Sequence, residues 1–310
     1  MGKLAFIFPG QGSQYVGMGA EAAAAKTGGD LFALADEILG FPLSDLCFHG
    51  PEEELKQTYN TQPAVLTVSL IAAALLAEKG IRPALTAGHS LGEYSALAAA
   101  GALSFAEAVA LVRKRGEIMA ATTEKITGAG MAAIIGLGAE AVVDICARAS
   151  EAGVVEAVNF NSPVQTIISG ERSGLERAME LAKSEGAKRA MELPVSAPFH
   201  SSLMDPAAEL FRPALEAARI GDAAVAVVAN VSARPETAAE EIRANLIGQV
   251  NGPVRWTESV EYMLSQGVDT FVEVGPGKVL LGLMKKIAPD AAAYAVETPA
   301  QIDELAAALA

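Results

Sequence analysis

Short apolar runs alternate with longer stretches of helical spacing through most of the chain. The runs at residues 4–8, 81–87, 223–230 and 270–274 are short and largely apolar, which predicts buried strands. Between them, stretches such as residues 64–77 carry apolar side chains over several helical turns and predict helices. This alternation of strands and helices is typical of an α/β fold.

The order of the elements changes after residue 125. The predicted strands there are residues 131–135, 154–160, 165–169 and 188–193, and the predicted helices are residues 139–149 and 173–185. The resulting order, β-α-β-β-α-β, is that of the ferredoxin-like split βαβ unit. We therefore predict a ferredoxin-like small domain at residues 126–196, inserted into a larger domain that residues 1–125 and 197–310 form together.

One predicted helix, residues 64–77, is apolar enough to raise the question of a membrane span. It contains Thr67 and Ser69 and is shorter than the roughly 20 residues that cross a bilayer, so we interpret it as a buried core helix. Residues 4–8 lead directly into a glycine-rich turn, as a first core strand does, which argues against a signal peptide. We therefore expect no membrane contact.

Composition narrows the classes of function. The chain has 310 residues with a formal net charge of −14, which argues against a nucleic-acid binder because phosphate contacts need a basic face. Cys47 and Cys146 have neither metal-ligand spacing nor a disulfide framework. We interpret both as reduced thiols, and we expect a cytoplasmic protein without a metal site.

The candidate chemistry begins at residues 88–92, whose sequence is Gly-His-Ser-Leu-Gly. A predicted strand precedes this pentapeptide and a predicted helix, residues 93–100, follows it, which is the arrangement of a nucleophile elbow. The glycines permit a sharp turn that lifts the Ser90 hydroxyl clear of the sheet. The backbone N–H of Leu91 then faces the group that Ser90 attacks and is a candidate oxyanion donor. An ordinary turn is the alternative for this pentapeptide taken alone.

A second glycine-rich turn, residues 9–14, follows the first strand and invites a nucleotide-binding interpretation. The glycine after Gly12 is Gly17, so the spacing Gly-x-Gly-x-x-Gly is not met, and no Gly-Lys-Ser/Thr follows. Two interpretations stay open for this segment: a tight turn that lets backbone approach backbone, and a turn in which Gln11 offers a backbone N–H to the Ser90 site.

A cation stands on the apolar face of another predicted helix. Ser104 and Glu107 have capping-box spacing and begin this helix, which extends to about residue 121. Its apolar stripe includes Arg115, and a buried guanidinium needs a partner. Two interpretations stay open: a structural salt bridge or snorkelling side chain, and a binding group for a substrate carboxylate, which the planar fork holds through two hydrogen bonds.

A serine nucleophile needs a base, and the chain has three histidines. His89 adjoins Ser90 in sequence, so we expect its side chain to diverge from the serine. His49 lies in a predicted surface turn. His200 follows an extended segment that contains Pro198 and is the remaining candidate, with a surface or capping role as the alternative.

Seven segments carry a family resemblance. They are residues 8–14, 88–93, 115–116, 159–163, 199–201, Gln249 and residues 273–277. In this order they resemble the motifs of the malonyl-CoA:acyl carrier protein transacylases of bacterial type II fatty acid synthesis, and the resemblance covers nearly the whole chain. It implies an α/β-hydrolase-like large domain with a mostly parallel sheet and an inserted ferredoxin-like small domain, in agreement with the pattern of strands and helices.

The resemblance also implies roles for the candidate residues. Ser90 is then the nucleophile and His200 its general base, while the backbone N–H groups of Gln11 and Leu91 form the oxyanion hole. Arg115 binds the free carboxylate of the malonyl group.

Four further positions receive supporting roles from the resemblance. The backbone carbonyl of Gln249 orients the histidine base. His89 and Asn159 line the pocket near the malonyl group. Phe199, beside the base, is similar to the malonyl-selecting form of this segment.

The implied activity is that of an acyl carrier protein S-malonyltransferase. Malonyl-CoA acylates the serine, and the phosphopantetheine thiol of acyl carrier protein then removes the malonyl group in a ping-pong reaction. CoA enters as part of the substrate, and no other cofactor or metal is expected. We expect a monomer in the cytoplasm whose partners are malonyl-CoA and acyl carrier protein.

Three alternatives stay open at this point: a discrete acyltransferase of a polyketide pathway, a serine hydrolase or thioesterase, and a non-catalytic carrier-binding module. Carrier proteins are acidic and so is this chain, so docking requires a local basic patch. The candidates for that patch are Arg113, Lys114, Lys188, Arg189, Lys285 and Lys286.

Overall fold

The computed structural model describes residues 2–195 and 197–309, so Met1, Ser196 and Ala310, at the ends of the predicted domain ranges, lie outside the described residues. Within these ranges the chain forms ten strands. They are β1 (Lys3–Phe8), β2 (Leu85–Gly88), β3 (Ala129–Ile135), β4 (Val155–Ser162), β5 (Gln165–Glu171), β6 (Arg189–Glu192), β7 (Val227–Val228), β8 (Pro235–Glu236), β9 (Val268–Val274) and β10 (Ala292–Val296).

Helices connect most of the strands. They are α1 (Ala20–Ala23), α2 (Lys26–Leu39), α3 (Leu43–His49), α4 (Glu52–Leu55), α5 (Thr58–Glu78), α6 (Gly92–Ala99), α7 (Phe105–Thr123), α8 (Ala139–Ala149), α9 (Arg172–Ser184), α10 (Asp205–Ala217), α11 (Ala239–Gln249), α12 (Trp256–Ser265), α13 (Val279–Ile287) and α14 (Pro299–Leu309). A single 3₁₀ turn, Ser202–Met204, precedes α10. The predicted α/β class is confirmed.

The larger sheet has six strands in the order β10-β9-β1-β2-β7-β8, and all neighbours are parallel except β7 and β8. Alternate residues of β1 face opposite sides, as a strand requires. Phe6 and Phe8 pack in the core beneath α5, α6 and α7, whereas Ala5 and Ile7 pack against α12 and α13. The sheet is therefore buried on both faces, and β2, which carries the candidate elbow, lies near its centre.

The smaller sheet has four strands in the order β4-β5-β3-β6, and its three pairings are antiparallel. One face packs against α8 and α9, through residues such as Ile134 and Ile168. The other face, which includes Met131 and Ile167, turns toward the cavity described below. This unit therefore supplies a wall of the cavity as well as its own core.

Backbone hydrogen bonds tie β4 to the loop before α12. The N–H of Phe160 donates to the carbonyl of Val254 at 2.9 Å, and the N–H of Val254 donates to the carbonyl of Val158 at 2.8 Å. Asn159 and Val254 form an isolated parallel bridge at the same place. The four-stranded unit is thereby fastened to the larger one beside the cavity.

Two predicted strands are much shorter than expected. Of residues 81–87 only the last part forms β2, because Pro83 has no N–H to donate to a neighbouring strand. Of residues 223–230 only Val227–Val228 forms a strand. The N–H of Ala223 bonds the carbonyl of Thr237, and that of Ala224 bonds the carbonyl of Ala100, so this segment is extended without joining the sheet there.

The apolar helix is longer than predicted. α5 covers 21 residues, so the expectation that it is too short to cross a membrane is wrong. Among the described residues it is the one helix long and apolar enough for a span, and 83% of its most apolar 18-residue window is buried inside the protein. That degree of burial is typical of a core helix, which is the interpretation that the sequence favoured.

Candidate active site

Ser90 stands at a sharp turn between β2 and α6, as the elbow pattern predicts. Its φ angle is +51°, a left-handed conformation that costs energy in any residue other than glycine. The chain is tightly folded there: a Cβ on Gly88 would lie 1.9 Å from the carbonyl carbon of Gly92, and one on Gly92 would lie 2.1 Å from the carbonyl oxygen of Phe8. Both glycines are needed for this approach, which leaves the serine hydroxyl free to enter the cavity.

His200 meets the serine across 110 residues of sequence. Its Nε2 lies 2.8 Å from Ser90 Oγ. On the other side of the ring, Nδ1 lies 3.1 Å from the carbonyl oxygen of Gln249 and 3.0 Å from that of Gly252. Two carbonyl acceptors require the proton on Nδ1, so the lone pair of Nε2 faces the hydroxyl. The surface or capping alternative for this histidine is wrong, since the residue is buried.

The charge state of His200 suits a base. Burial, the nearby positive charge of Arg115 and the electrostatic effect of His89 lower the pKa of His200 from its usual range to about 3. The imidazole is therefore neutral at neutral pH and able to accept a proton. The φ angle of His200 is +64°, so both members of the Ser90–His200 pair hold a left-handed backbone conformation.

Arg115 lies with 1% of its surface exposed, which excludes a snorkelling side chain. Its Nη1 donates to Oε1 of Gln62 at 2.8 Å, and Nη2 donates to Oε1 of Gln249 at 3.0 Å and to Ser90 Oγ at 3.2 Å. Within the described residues no carboxylate forms a salt bridge with it. The structural salt bridge is thus the wrong interpretation: the guanidinium is held by neutral acceptors beside the serine, and no carboxylate among the described residues is in direct contact with it.

The two candidate oxyanion donors lie at the same wall of the cavity. Gln11 and Leu91 both line it, and in the part of the chain that the structure describes neither backbone N–H donates a hydrogen bond. The side chain of Gln11 is held separately, because its Oε1 accepts a hydrogen bond from Oγ1 of Thr58 at 2.7 Å. Both N–H groups are therefore available to an oxygen atom bound next to Ser90.

The cavity has a volume of about 310 Å³ and lies between the two sheets. Eight of the nine predicted site residues line it, namely Gln11, His89, Ser90, Leu91, Arg115, Asn159, Phe199 and His200. Gln249 lies behind the wall and acts through its hydrogen bonds. The structure thus brings all nine predicted residues to one site.

Two amides of β4 extend the polar part of this cavity. Nε2 of His89 lies 2.8 Å from Oδ1 of Asn161, so the imidazole turns away from Ser90 as predicted. Burial lowers the pKa of His89, and the ring is neutral. Oδ1 of Asn159 is buried without a hydrogen-bond partner among the described residues. It is an acceptor left for a ligand donor.

Several residues of the site escaped the sequence analysis. Asn230 brackets the elbow: its Oδ1 accepts from the N–H of Ser90 at 2.7 Å and its Nδ2 donates to the carbonyl of Gly88 at 2.6 Å. Glu93 enters the sequence analysis only as the last residue of the family segment 88–93, and Gln62 and Gly252 are not singled out. The only signal for Asn230 is its place at the end of an apolar run, where α/β sheets collect functional side chains.

Metal binding has no support in the described part of the chain, where no group of three or more His, Cys, Asp or Glu side chains is arranged to hold an ion. Cys47 and Cys146 are buried free thiols, and burial raises the pKa of each. The polar groups of the cavity fit instead a small acyl group with a negative charge, which the guanidinium would meet.

Comparison with known proteins gives consistent matches. The sequence profile of the family described as "Acyl transferase domain" matches residues 5–300. The chain is 51% identical over 308 residues to the malonyl CoA-acyl carrier protein transacylase of Bacillus subtilis, covering 98% of this chain and 96% of that protein. It is 48% identical over 301 residues to the protein of the same name from Escherichia coli K12, covering 96% and 97%.

Solved structures agree with these relatives. An acyl carrier protein S-malonyltransferase from Vibrio cholerae superposes with a TM-score of 0.95 at 45% identity, over 98% of this chain and 99% of that one. A malonyl-transacylase in complex with a type II PKS acyl-carrier protein superposes with a TM-score of 0.94 at 43% identity, over 99% of both chains.

Proposed function

Because the chain belongs to the family of malonyl CoA-acyl carrier protein transacylases, we propose that it transfers a malonyl group from malonyl-CoA to the phosphopantetheine thiol of acyl carrier protein. One observation carries this proposal. The Ser90–His200 pair, with 2.8 Å between Oγ and Nε2, lies beside a buried guanidinium that has no carboxylate partner among the described residues. A nucleophile next to a guanidinium with no carboxylate in direct contact suits an acyl donor that carries its own carboxylate.

The first half-reaction acylates the serine. Nε2 of His200 accepts the proton of Ser90 as Oγ attacks the thioester carbon of malonyl-CoA. The carbonyl oxygen becomes an oxyanion, which the N–H groups of Gln11 and Leu91 stabilise. The carbon–sulfur bond then breaks, the histidine returns the proton to the CoA sulfur, and a malonyl ester remains on the serine.

The second half-reaction reverses these roles. The thiol of the phosphopantetheine arm gives its proton to His200 and attacks the ester carbon, and the serine leaves with that proton. One thioester is exchanged for another through an ester, so the reaction needs no oxidant, energy source or cofactor beyond the CoA of the substrate. The neutral form of His200 that the lowered pKa maintains is the form that both steps require.

Selectivity follows from Arg115. The malonyl carboxylate pairs with the guanidinium, whereas an acetyl group leaves it buried and unpaired, at a cost of a few kcal/mol. A serine hydrolase or thioesterase has the same nucleophile and base but no requirement for this cation. The buried guanidinium beside the nucleophile therefore favours a malonyl transferase over a general hydrolase.

The finer description of the fold is part of the same proposal. We take the six-stranded unit as an α/β-hydrolase-like domain and the four-stranded unit as a ferredoxin-like domain inserted into it. The support is the connection β-α-β-β-α-β with strand order β4-β5-β3-β6, which is the ferredoxin-like order, and the position of the serine elbow after a central parallel strand.

The carrier protein has two sources of support. The curated relatives bear the name of an acyl carrier protein transacylase, and one structural relative is bound to a type II PKS acyl-carrier protein. We propose a fatty acid carrier as the acceptor and keep a polyketide carrier as the second candidate. Transfer rates to the two carrier proteins, measured side by side, distinguish them. A monomeric state and a cytoplasmic location stay predictions.

The decisive experiment is mass spectrometry of the protein after mixing with malonyl-CoA and no acceptor. We expect a malonyl adduct on the peptide that contains Ser90, a much weaker signal with acetyl-CoA, and no adduct in Ser90→Ala. Release of free malonate as fast as CoA would identify a hydrolase instead. Carrier binding that is intact while no adduct forms in the wild type would identify a non-catalytic binding module.

A further inference from the structure

A buried carboxylate lies directly behind the reacting groups. Glu93 is in the first turn of α6 and has 0% of its surface exposed. Its Oε2 accepts a hydrogen bond from Nε2 of Gln249 at 2.6 Å, and its Oε1 accepts one from the backbone N–H of Asn230 at 3.3 Å. Both oxygens therefore face donors, and each donor belongs to a residue that holds a different part of the site.

The first donor, Gln249, holds Arg115. Its Oε1 accepts a hydrogen bond from Nη2 of the guanidinium at 3.0 Å, and its Nε2 also donates to the backbone carbonyl of Ser90 at 2.8 Å. The direction of this amide is fixed by its neighbours. Turned the other way, the oxygen would face the carboxylate of Glu93 and the carbonyl of Ser90, and the NH₂ group would face the guanidinium, so all three contacts would be repulsive.

The second donor, Asn230, holds the elbow. Its side chain bonds both the N–H of Ser90 and the carbonyl of Gly88, and so spans the residue whose φ angle is +51°. A strained turn persists only when the surrounding structure over-determines it. The hydrogen bond from Asn230 to Glu93 connects these contacts at the elbow to the Gln249 amide, which also bonds Glu93.

We propose that Glu93 is a positioning residue, whose two oxygens fix the Gln249 amide and the Asn230 main chain and thereby hold Arg115 and the Ser90 elbow in register. The inference rests on the proposed function, because it assigns the support of the malonyl-binding cation. Glu93 itself does not line the cavity. It acts through Gln249 and Asn230 only.

The positioning role of Glu93 requires that both of its oxygens accept hydrogen bonds, so its carboxyl group must be ionised. The hydrogen-bond donors around Glu93 favour this state. Burial, with the repulsion of Glu236 as a further cause, raises the pKa of Glu93 to about 8, and burial raises that of Glu236 to about 7. Because the two carboxyl groups repel each other, protonation of one favours ionisation of the other, and the hydrogen-bond partners of each decide which one holds the proton. Glu93 accepts hydrogen bonds at both oxygens, whereas Glu236 accepts one at Oε2, from Nδ2 of Asn245, and its Oε1 is buried with no hydrogen-bond partner among the described residues. We therefore place the proton on Glu236.

The substitution Glu93→Gln isolates this requirement, because it keeps the shape and removes one acceptor. The new NH₂ group must face either the N–H of Asn230 or the NH₂ of Gln249, donor against donor. If the Gln249 amide turns to relieve the clash, its own NH₂ then faces the guanidinium of Arg115. Every arrangement therefore loses at least one hydrogen bond among those that join residue 93, Asn230, Gln249 and Arg115. Glu236→Gln is the matched control, because glutamine resembles the protonated acid assigned to that position.

The test compares wild type, Glu93→Gln and Glu236→Gln in kcat and KM for malonyl-CoA and acetyl-CoA, with thermal unfolding as the check of folding. We expect Glu93→Gln to lower the kcat/KM for malonyl-CoA by about 10- to 100-fold, as the loss of a hydrogen bond to a charged group does, mainly through KM, and to reduce the preference for malonyl over acetyl. Glu236→Gln should stay within about twofold. Equal preferences in Glu93→Gln and wild type, or equal losses in the two variants, would overturn the proposal.

A second variant covers the case in which Glu93→Gln does not fold. Gln249→Leu removes the amide that transmits the effect to Arg115, and we expect it to reduce the preference for malonyl by itself. An unchanged preference in Gln249→Leu would overturn the proposal. Failure of the proposed function appears elsewhere, as the absence of a malonyl adduct on Ser90 in the wild-type protein.

Discussion

Nη2 of Arg115 lies 3.2 Å from Oγ of Ser90, so the cation proposed to bind the malonyl carboxylate is within hydrogen-bond distance of the proposed nucleophile. A malonyl group has one methylene between its thioester carbon and its carboxylate, and this short reach matches the closeness of the two side chains. In the proposed mechanism, recognition of the carboxylate and acylation of the serine use neighbouring side chains, so we expect substitutions there to affect both.

The first prediction concerns Arg115→Ala. We expect this variant to lose the preference for malonyl-CoA over acetyl-CoA by at least about 100-fold, because two charge-assisted hydrogen bonds to the carboxylate disappear. The measurement is the ratio of the rates at which the two donors acylate Ser90.

The control for that prediction is Arg113→Ala. Arg113 is on the same helix but bonds Asn60 and Glu117 outside the cavity, so the preference should not change. Persistent malonyl selectivity in Arg115→Ala, or an equal loss in the control, would remove Arg115 from the substrate-binding role.

The second prediction concerns the pH dependence of acylation. A histidine whose pKa is lowered to about 3 stays neutral well below its ordinary value of about 6.5. The histidine-dependent acid limb of kcat/KM, which reports the free enzyme, should therefore lie far below pH 6.5. In the malonyl complex the substrate carboxylate offsets the charge of Arg115, so the corresponding limb of kcat should lie at a higher pH.

Rapid-mix measurement of CoA release between pH 4 and 8, fitted separately for kcat and kcat/KM, checks this order. The histidine variant His200→Ala should show a rate that is uniformly low across the same range. A limb near pH 6.5 in kcat/KM, absent from the variant, would contradict a buried neutral base.

The third prediction concerns the strained elbow. Ser90→Gly should be more stable than Ser90→Ala by about 1 kcal/mol, since glycine accepts a φ angle of +51° without a Cβ clash and alanine does not. Urea unfolding of the two inactive variants measures the difference directly. The same pair of substitutions at Ser95, inside α6, should give the opposite order, because alanine is the better helix former there. Alanine more stable than glycine at both positions would show that residue 90 is unstrained.

The fourth prediction concerns the docking of acyl carrier protein. Lys285 and Lys286 are exposed at the end of α13. The same helix contributes Val279 and Leu283 to the wall of the cavity. Reversing both charges should raise the KM for the carrier protein and leave the KM for malonyl-CoA unchanged, because an acidic partner uses rim charges for association. Steady-state kinetics with each substrate varied in turn provides the test, and equal effects on both KM values would argue against docking there.

The site was predictable wherever its signals were local. Gly88 and Gly92 are adjacent to the serine that they serve, and Arg115 interrupts an apolar stripe that the sequence alone displays. The capping pair is equally local, and Ser104 Oγ does accept the N–H of Glu107 at 3.1 Å. His200 was found because few histidines compete for the role of base.

The remainder depends on contacts between distant parts of the chain. Glu93 is 156 residues from Gln249 and resembles any acid in the first turn of a helix. The fold was predictable to a similar degree. The alanine-rich strand β10 escaped prediction because alanine has weak β propensity. The strand predicted at residues 223–230 is longer than the observed β7, because an apolar pattern does not reveal which backbone groups bond to a neighbouring strand.

The backbone bridge between Asn159 and Val254 joins the four-stranded unit to the six-stranded unit beside the cavity proposed for acyl transfer. Because the two walls are joined in this way, we expect a ligand to enter only if it is narrow enough for the cavity, and we expect no hinge opening of the walls. CoA and the carrier protein differ greatly in bulk, yet each presents the same slender pantetheine arm. The bulk of CoA and of the carrier protein can therefore remain outside the cavity while their pantetheine arms enter one after the other. This order of entry agrees with the proposed ping-pong reaction, in which the donor leaves before the acceptor binds.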